Sequence, residues 1–90
     1  MIKILIADDV QILRTGLRAV LSQDPELKVV GEAANGKEAY EMSICLQPDV
    51  VIMDMRMPVF DGGYGSRQIK GKLPNVKVLV LTTFDYKETV

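Results

Sequence analysis

Two short apolar runs in this chain end in aspartate. Ile2-Lys3-Ile4-Leu5-Ile6-Ala7 leads straight into Asp8-Asp9. Asp49-Val50-Val51-Ile52-Met53 leads into Asp54, after which the chain turns through Met55-Arg56-Met57-Pro58 towards Asp61-Gly62. Runs of this length, rich in aliphatic and β-branched residues, fit strands buried on both faces of a parallel sheet. A carboxylate at the end of such a strand has lost part of its hydration, and a cation shared with a second acidic group is the natural compensation. The carboxyl edge of an open parallel sheet is also where sites are built.

The rest of the chain supplies the crossovers that parallel strands require. Val10, Leu13, Leu17, Val20 and Leu21 recur at helical spacing after the first run, and Gln23-Asp24-Pro25 stops that helix. A strand Lys28-Val29-Val30-Gly31 follows, then a turn at Asn35-Gly36 and a helix through Ala39, Tyr40, Ser43, Ile44 and Leu46 that ends before Pro48. The Asp49 to Met53 strand leads to a weaker helical stretch from about Gly63 to Lys72. The strand Val76-Lys77-Val78-Leu79-Val80-Leu81 comes next. Asp85 reads as the N-cap of a last helix starting at Tyr86. Strands alternating with helices imply right-handed crossovers, and hence an α/β fold with helices on both faces of a parallel sheet.

Composition excludes several function classes. At 90 residues the chain is one domain, spanning 1–90, and its 48% hydrophobic and 26% charged residues are those of a globular protein. Its net charge of -1 gives no field for polyanions or anionic membranes, so any DNA contact requires a separate domain. No apolar run approaches the roughly 18 residues of a membrane span, and two aspartates interrupt the apolar start before it resembles a signal peptide. A cytoplasmic location is therefore expected. The single Cys45 excludes an internal disulfide, and the absence of histidine leaves carboxylates, hydroxyls, lysines and backbone to carry any chemistry.

If the first, third and fourth strands are neighbours, Asp8, Asp9, Asp54, Thr82 and Thr83 converge on one pocket. Carboxylates crowded together repel unless a hard cation sits between them, and magnesium prefers such oxygen donors. An aspartate beside that ion is a competent nucleophile toward phosphorus.

These residues, in this order and spacing, resemble the receiver domains of two-component response regulators. The resemblance covers essentially the whole chain: Asp8-Asp9, Asp54 with Met57-Pro58 and Asp61-Gly62 behind it, and Thr82. Leu13-Arg14-Thr15-Gly16-Leu17 and Val78 to Phe84 look more like the NarL/FixJ branch, whose members usually carry a carboxyl-terminal LuxR-type helix-turn-helix domain. The resemblance implies a flavodoxin-like, doubly wound sheet of order 2-1-3-4-5. It also implies Asp54 as phosphoacceptor and a magnesium ion bound by Asp9, Asp54 and the backbone carbonyl of Arg56, with Asp8 acting through water. Thr82 would be the switch hydroxyl that bonds the phosphoryl group. A sensor histidine kinase would be the partner, with transcription regulation as the output of an attached DNA-binding domain. Such a chain is a phosphoacceptor rather than an enzyme of the ordinary kind.

Two features depart from the family pattern. The chain stops at Val90, before the fifth strand with its phosphoryl-pairing lysine and before the fifth helix. Without that strand, Val76 to Leu81 becomes an edge, so these residues are expected either to be part of a longer receiver or, if the chain truly ends at Val90, to be completed by a homodimer or segment-exchanged oligomer. Gly62-Gly63-Tyr64-Gly65 also puts glycines where the family has better helix formers, so a loose first turn is expected there.

Other readings stand beside this one. Asp9 alone could cap the first helix, Asp61-Gly62 could be a turn device, and Thr82 and Thr83 could be ordinary strand residues. Cys45 is expected in the core, Met53, Met55 and Met57 as packing or loop residues, and Lys3 and Lys87 as solvated charges. A degenerate receiver acting only as an interaction module is one functional alternative. An aspartate-nucleophile phosphohydrolase of the haloacid-dehalogenase type is another, disfavoured by Arg56 where that chemistry needs a second acid. A nucleotide-binding flavodoxin-like protein would need a glycine-rich loop after the first strand, which is absent. Ile12 lies off the apolar stripe of the first helix, flanked by Gln11, Arg14, Thr15 and Arg18, and is a candidate anchor for a kinase helix.

Overall fold

Each apolar run forms a strand in the computed structural model, which describes residues 1–57 and 60–81. The order of elements is β1 (Ile2–Ala7), α1 (Gln11–Leu21), β2 (Leu27–Ala33), α2 (Gly36–Leu46), β3 (Val50–Asp54), α3 (Gly62–Lys72) and β4 (Lys77–Leu81). All pairings are parallel, in the order β2-β1-β3-β4. Pro58, Thr82, Thr83, Asp85 with its helix-capping role, and Lys87 lie outside the described residues.

The two-residue period of the strands builds two apolar layers. Leu5, Ala7, Val51 and Met53 join Ala39 of α2 and Ile69 of α3 on one face. Ile4, Ile6 and Ile52 face the other way, where Leu17 and Leu21 of α1 cover them. The helical stripe of α1 is only partly used: Val10, Leu13 and Val20 are exposed, because α1 is the only described helix on its face. Ile12 points away from the sheet and is 77% exposed.

One irregularity changes which way a strand faces. Ile4 pairs with Val29 but Leu5 pairs with Gly31, so Val30 is an extra residue in β2. A bulge of this kind reverses the alternation beyond it. Val29 packs on the α1 side, whereas a Cβ on Gly31 would meet Met42 and Leu46 of α2 at 2.8 and 2.9 Å. Glu32, in register with Ile6, is thereby turned to the α1 side.

The helix starts differ from the sequence expectation in two places. Asn35-Gly36 is a cap and not a free turn: Asn35 Oδ1 accepts from Glu38 N at 2.8 Å, while Glu38 reaches back to Ala34 N at 2.9 Å. This satisfies donors that the first turn would leave unpaired. The glycine-rich start of α3 is also regular helix and not loose, with Asp61 Oδ1 accepting from Tyr64 N at 2.8 Å. Its glycines serve a close approach. A Cβ on Gly65 would lie 3.0 Å from Gly36 Cα and 2.8 Å from Met53 Cε, so the two helices meet backbone to backbone at their starts. Cys45 is exposed rather than in the core, because α2 turns Gly36, Ala39 and Ser43 inward.

Gly16 of α1 and Gly71 of α3 are different, since a Cβ at either meets nothing within 4 Å. Gly16→Ala and Gly71→Ala are each expected to stabilise the fold by up to about 1 kcal/mol through helix propensity. Gly65→Ala is expected to lower stability, because the cost of overpacking, about 1–3 kcal/mol, outweighs that gain. Urea unfolding midpoints of the three variants check this ordering.

Candidate functional site

The chain passes from β1 to β2 on one side and then crosses to β3 on the other, so β1 and β3 flank the point where the strand order reverses. Ala7 is in register with Met53, so one more residue along each strand sets Asp8 beside Asp54. This is the crevice position of open α/β sheets.

Both side chains are buried, Asp8 at 1% and Asp54 at 3% exposure, while Asp9 is exposed. One carboxylate oxygen from each of Asp8, Asp9 and Asp54 falls within a cluster no more than 4.8 Å across. Local hydrogen bonds hold the group. Asp8 Oδ1 accepts from Val10 N at 2.8 Å, Asp54 Oδ1 accepts from Arg56 N at 3.0 Å, and Asp8 N donates to Ala33 O at 3.0 Å. The residue at the N-cap of α1 is Val10, without a side-chain cap, so capping that helix is not the role of Asp9.

Burial raises the Asp8 pKa above its ordinary 3.8, and repulsion from Asp54 and Asp9 adds to the rise. The Val10 amide and the Arg14 guanidinium oppose it. Oxygen donors of one sign, closely set and partly desolvated, suit a hard divalent cation that keeps some of its water.

Gly62 shapes the wall opposite. A Cβ there would overlap the carbonyl oxygen of Asp54 and lie 2.8 Å from Met55 Cα, so glycine lets the start of α3 lie against the strand end. Met57 is buried in the core while Met55 is exposed. Lys37 sits 5.6 Å over the Phe60 ring, which in turn lies 5.0 Å from that of Tyr64.

Sequence reasoning missed a charged network beside the acids. Arg14 Nε and Arg18 Nε donate to the two oxygens of Glu32 at 3.2 and 2.7 Å, and Arg14 Nη1 donates to the backbone carbonyl of Asp8. Arg18 and then Arg14 hold the Glu32 carboxyl below its ordinary range. The available signal was a pair of arginines four apart on one helix and a single acid inside an apolar strand.

Comparison with known proteins agrees with this geometry. The family model described as the response regulator receiver domain matches residues 4–90, and the chain belongs to that family. The transcriptional regulatory protein LnrK of Bacillus subtilis is 52% identical over 84 residues, covering 93% of this chain and 38% of LnrK. The response regulator protein VraR of Staphylococcus aureus is 45% identical over 83 residues, covering 92% of this chain and 40% of VraR. The chain thus spans about two fifths of these relatives. Among solved structures, the response regulator domain of Thermotoga maritima CheB superposes with a TM-score of 0.87 at 36% identity, covering 91% of this chain and 60% of that one.

The two perturbed carboxylates act on stability in opposite directions. Below the ordinary aspartate value of 3.8, Asp8 is protonated in both states and costs nothing. As pH rises from there through its raised folded value, the unfolded chain releases the proton first and stability falls. Glu32 stabilises above its ordinary 4.5, and that contribution is lost as pH falls through its lowered folded value. Asp8→Asn is therefore expected to raise the unfolding midpoint at neutral pH in chelator, with the gain vanishing below about pH 3.8. Urea titrations across pH, with and without Mg2+, check it; added Mg2+ is expected to stabilise the unsubstituted protein more than the variant.

Proposed function

We propose that this chain is the receiver domain, over residues 1–90, of a two-component response regulator that accepts a phosphoryl group on Asp54. The observation that carries the reading is the meeting of Asp8, Asp9 and Asp54 at the switch point between β1 and β3. Asp54 is the nucleophile because it alone ends β3, and the bond from Arg56 N to Oδ1 restrains its carboxylate. In the transfer a carboxylate oxygen of Asp54 attacks phosphorus. The P–N bond of a phosphohistidine breaks, its electron pair stays on the imidazole, and an acyl phosphate remains.

Asp9, Asp54 and the backbone carbonyl of Arg56 would hold Mg2+, with Asp8 acting through water. The ion supplies offset for the charge gathered on the phosphoryl oxygens. Thr82 would bond the phosphoryl group as the switch. The donor of the phosphoryl group would be a sensor histidine kinase, as membership of the response regulator receiver family implies. The reaction is stoichiometric, so the chain is a phosphoacceptor and not a classical enzyme. The name of LnrK, a transcriptional regulatory protein, supports transcription regulation as the output, which an attached DNA-binding domain in the cytoplasm would carry out. No described helix is long and apolar enough to cross a membrane.

Treatment with acetyl phosphate and Mg2+ is expected to give one acid-stable, base-labile phosphoryl adduct by intact-mass spectrometry, absent from Asp54→Ala. A full adduct on that variant would overturn the assignment.

Kinase docking is expected to use Ile12, which stands exposed on α1 close to the acidic edge. Ile12→Ala should slow phosphotransfer from the cognate kinase while leaving the acetyl phosphate reaction unchanged. Equal kinase rates for the two proteins would remove Ile12 from the interface.

A further inference from the structure

Among the described residues, Arg14 is the one side chain that reaches the peptide group joining Asp8 to Asp9. Its Nη1 donates to the Asp8 carbonyl while its Nε is engaged by Glu32 at 3.2 Å, and its side chain is only 15% exposed. Arg18 binds the other oxygen of Glu32 at 2.7 Å and, at 43% exposure, is the outer member of the group. The direction of the Asp9 side chain depends on how the peptide before it is rotated. The amide of Asp8 is fixed by Ala33, and its side chain by Val10. Among the described residues the Asp8 carbonyl has neither a strand nor a helix partner, and Arg14 holds it.

We propose that Arg14, braced by Glu32, is a positioning residue that orients the Asp8–Asp9 peptide and so aims Asp9 for divalent-cation binding. The inference rests on the receiver reading of the acidic cluster. A planar guanidinium suits the task, because it donates in two directions from one rigid fork. Lysine has a single ammonium on a flexible stem and does not hold both partners in fixed geometry. The bulge at Val30 belongs to the same device, since it turns Glu32 to the side from which Arg14 approaches.

Supporting residues around metal sites typically change affinity by about 10–100-fold when removed. Calorimetric titration of MgCl2 into the protein is therefore expected to show roughly 10-fold weaker binding for Arg14→Gln and for Arg14→Lys. Arg18→Gln, which breaks an ion pair to the same Glu32 but leaves the Asp8 carbonyl held, should bind Mg2+ like the unsubstituted protein. The acetyl phosphate reaction supplies a second readout. Arg14→Gln should raise the Mg2+ concentration giving half-maximal rate, and saturating Mg2+ should restore the maximal rate, whereas a merely structural lesion would lower that maximum. Should Arg14→Gln not fold, Arg14→Lys decides alone, and unchanged Mg2+ affinity in that variant overturns the proposal. Equal weakening by Arg14→Gln and Arg18→Gln also overturns it. Asp9→Ala tests the receiver reading separately: Mg2+ binding that survives it removes the acidic cluster as the site and leaves the stability of the Arg14 network untouched.

Discussion

The repulsion between Asp8 and Asp54, side by side at the ends of two central strands, is the constraint around which the rest is arranged. Neither carboxylate can move away, because each continues a strand whose preceding residues are locked in parallel register and buried on both faces. Burial removes hydration that would otherwise screen them, so the folded chain carries an unfavourable charge arrangement that a bound cation would relieve. Such a site stores sensitivity to ligand in its own stability. The same strands that form the core thus create the chemistry at their ends.

Around that constraint the backbone is held tightly. The loops after β1 and β3 both use an aspartate oxygen to bind an amide two residues on, at Val10 and at Arg56. These local bonds restrain the carboxylates and offset part of their charge. Further out, Glu32 bridges Arg14 and Arg18, tying α1 to β2 across the strand that carries Asp8 and Asp9. The Arg14–Glu32 pair is only partly exposed, and from it Arg14 also donates to the Asp8 carbonyl.

The other face shows how packing overrides local preference. Glycines in the first turn of α3 are poor helix formers, yet the helix is regular because Asp61 caps it and because Gly65 and Gly36 let α3 settle against α2. That seam, together with Gly62 against the Asp54 carbonyl, sets the start of α3 against the strand end. A propensity scale prices each glycine alone. The close approach that offsets the cost depends on a residue more than twenty positions earlier.

Much of the fold was legible because strands and helices are written in short-range periodicity. The buried runs at Ile2–Ala7 and Val50–Asp54, the helix ending before Pro48, and the placing of Asp8, Asp9 and Asp54 at strand ends follow from neighbours a few residues apart. The sequence by itself therefore determined the alternation of elements, the family resemblance and the acids that meet at the edge. Three things were decided only in the tertiary structure. Leu13 and Val20 share the helical stripe of Leu17 and Leu21 but stay exposed, because burial depends on what lies opposite. Cys45 lies outward because α2 rests on Gly36, Ala39 and Ser43. Glu32 meets Arg14 because one extra residue at Val30 reverses the alternation of β2, and a bulge is set by the pairing of two strands, which no reading of one strand contains.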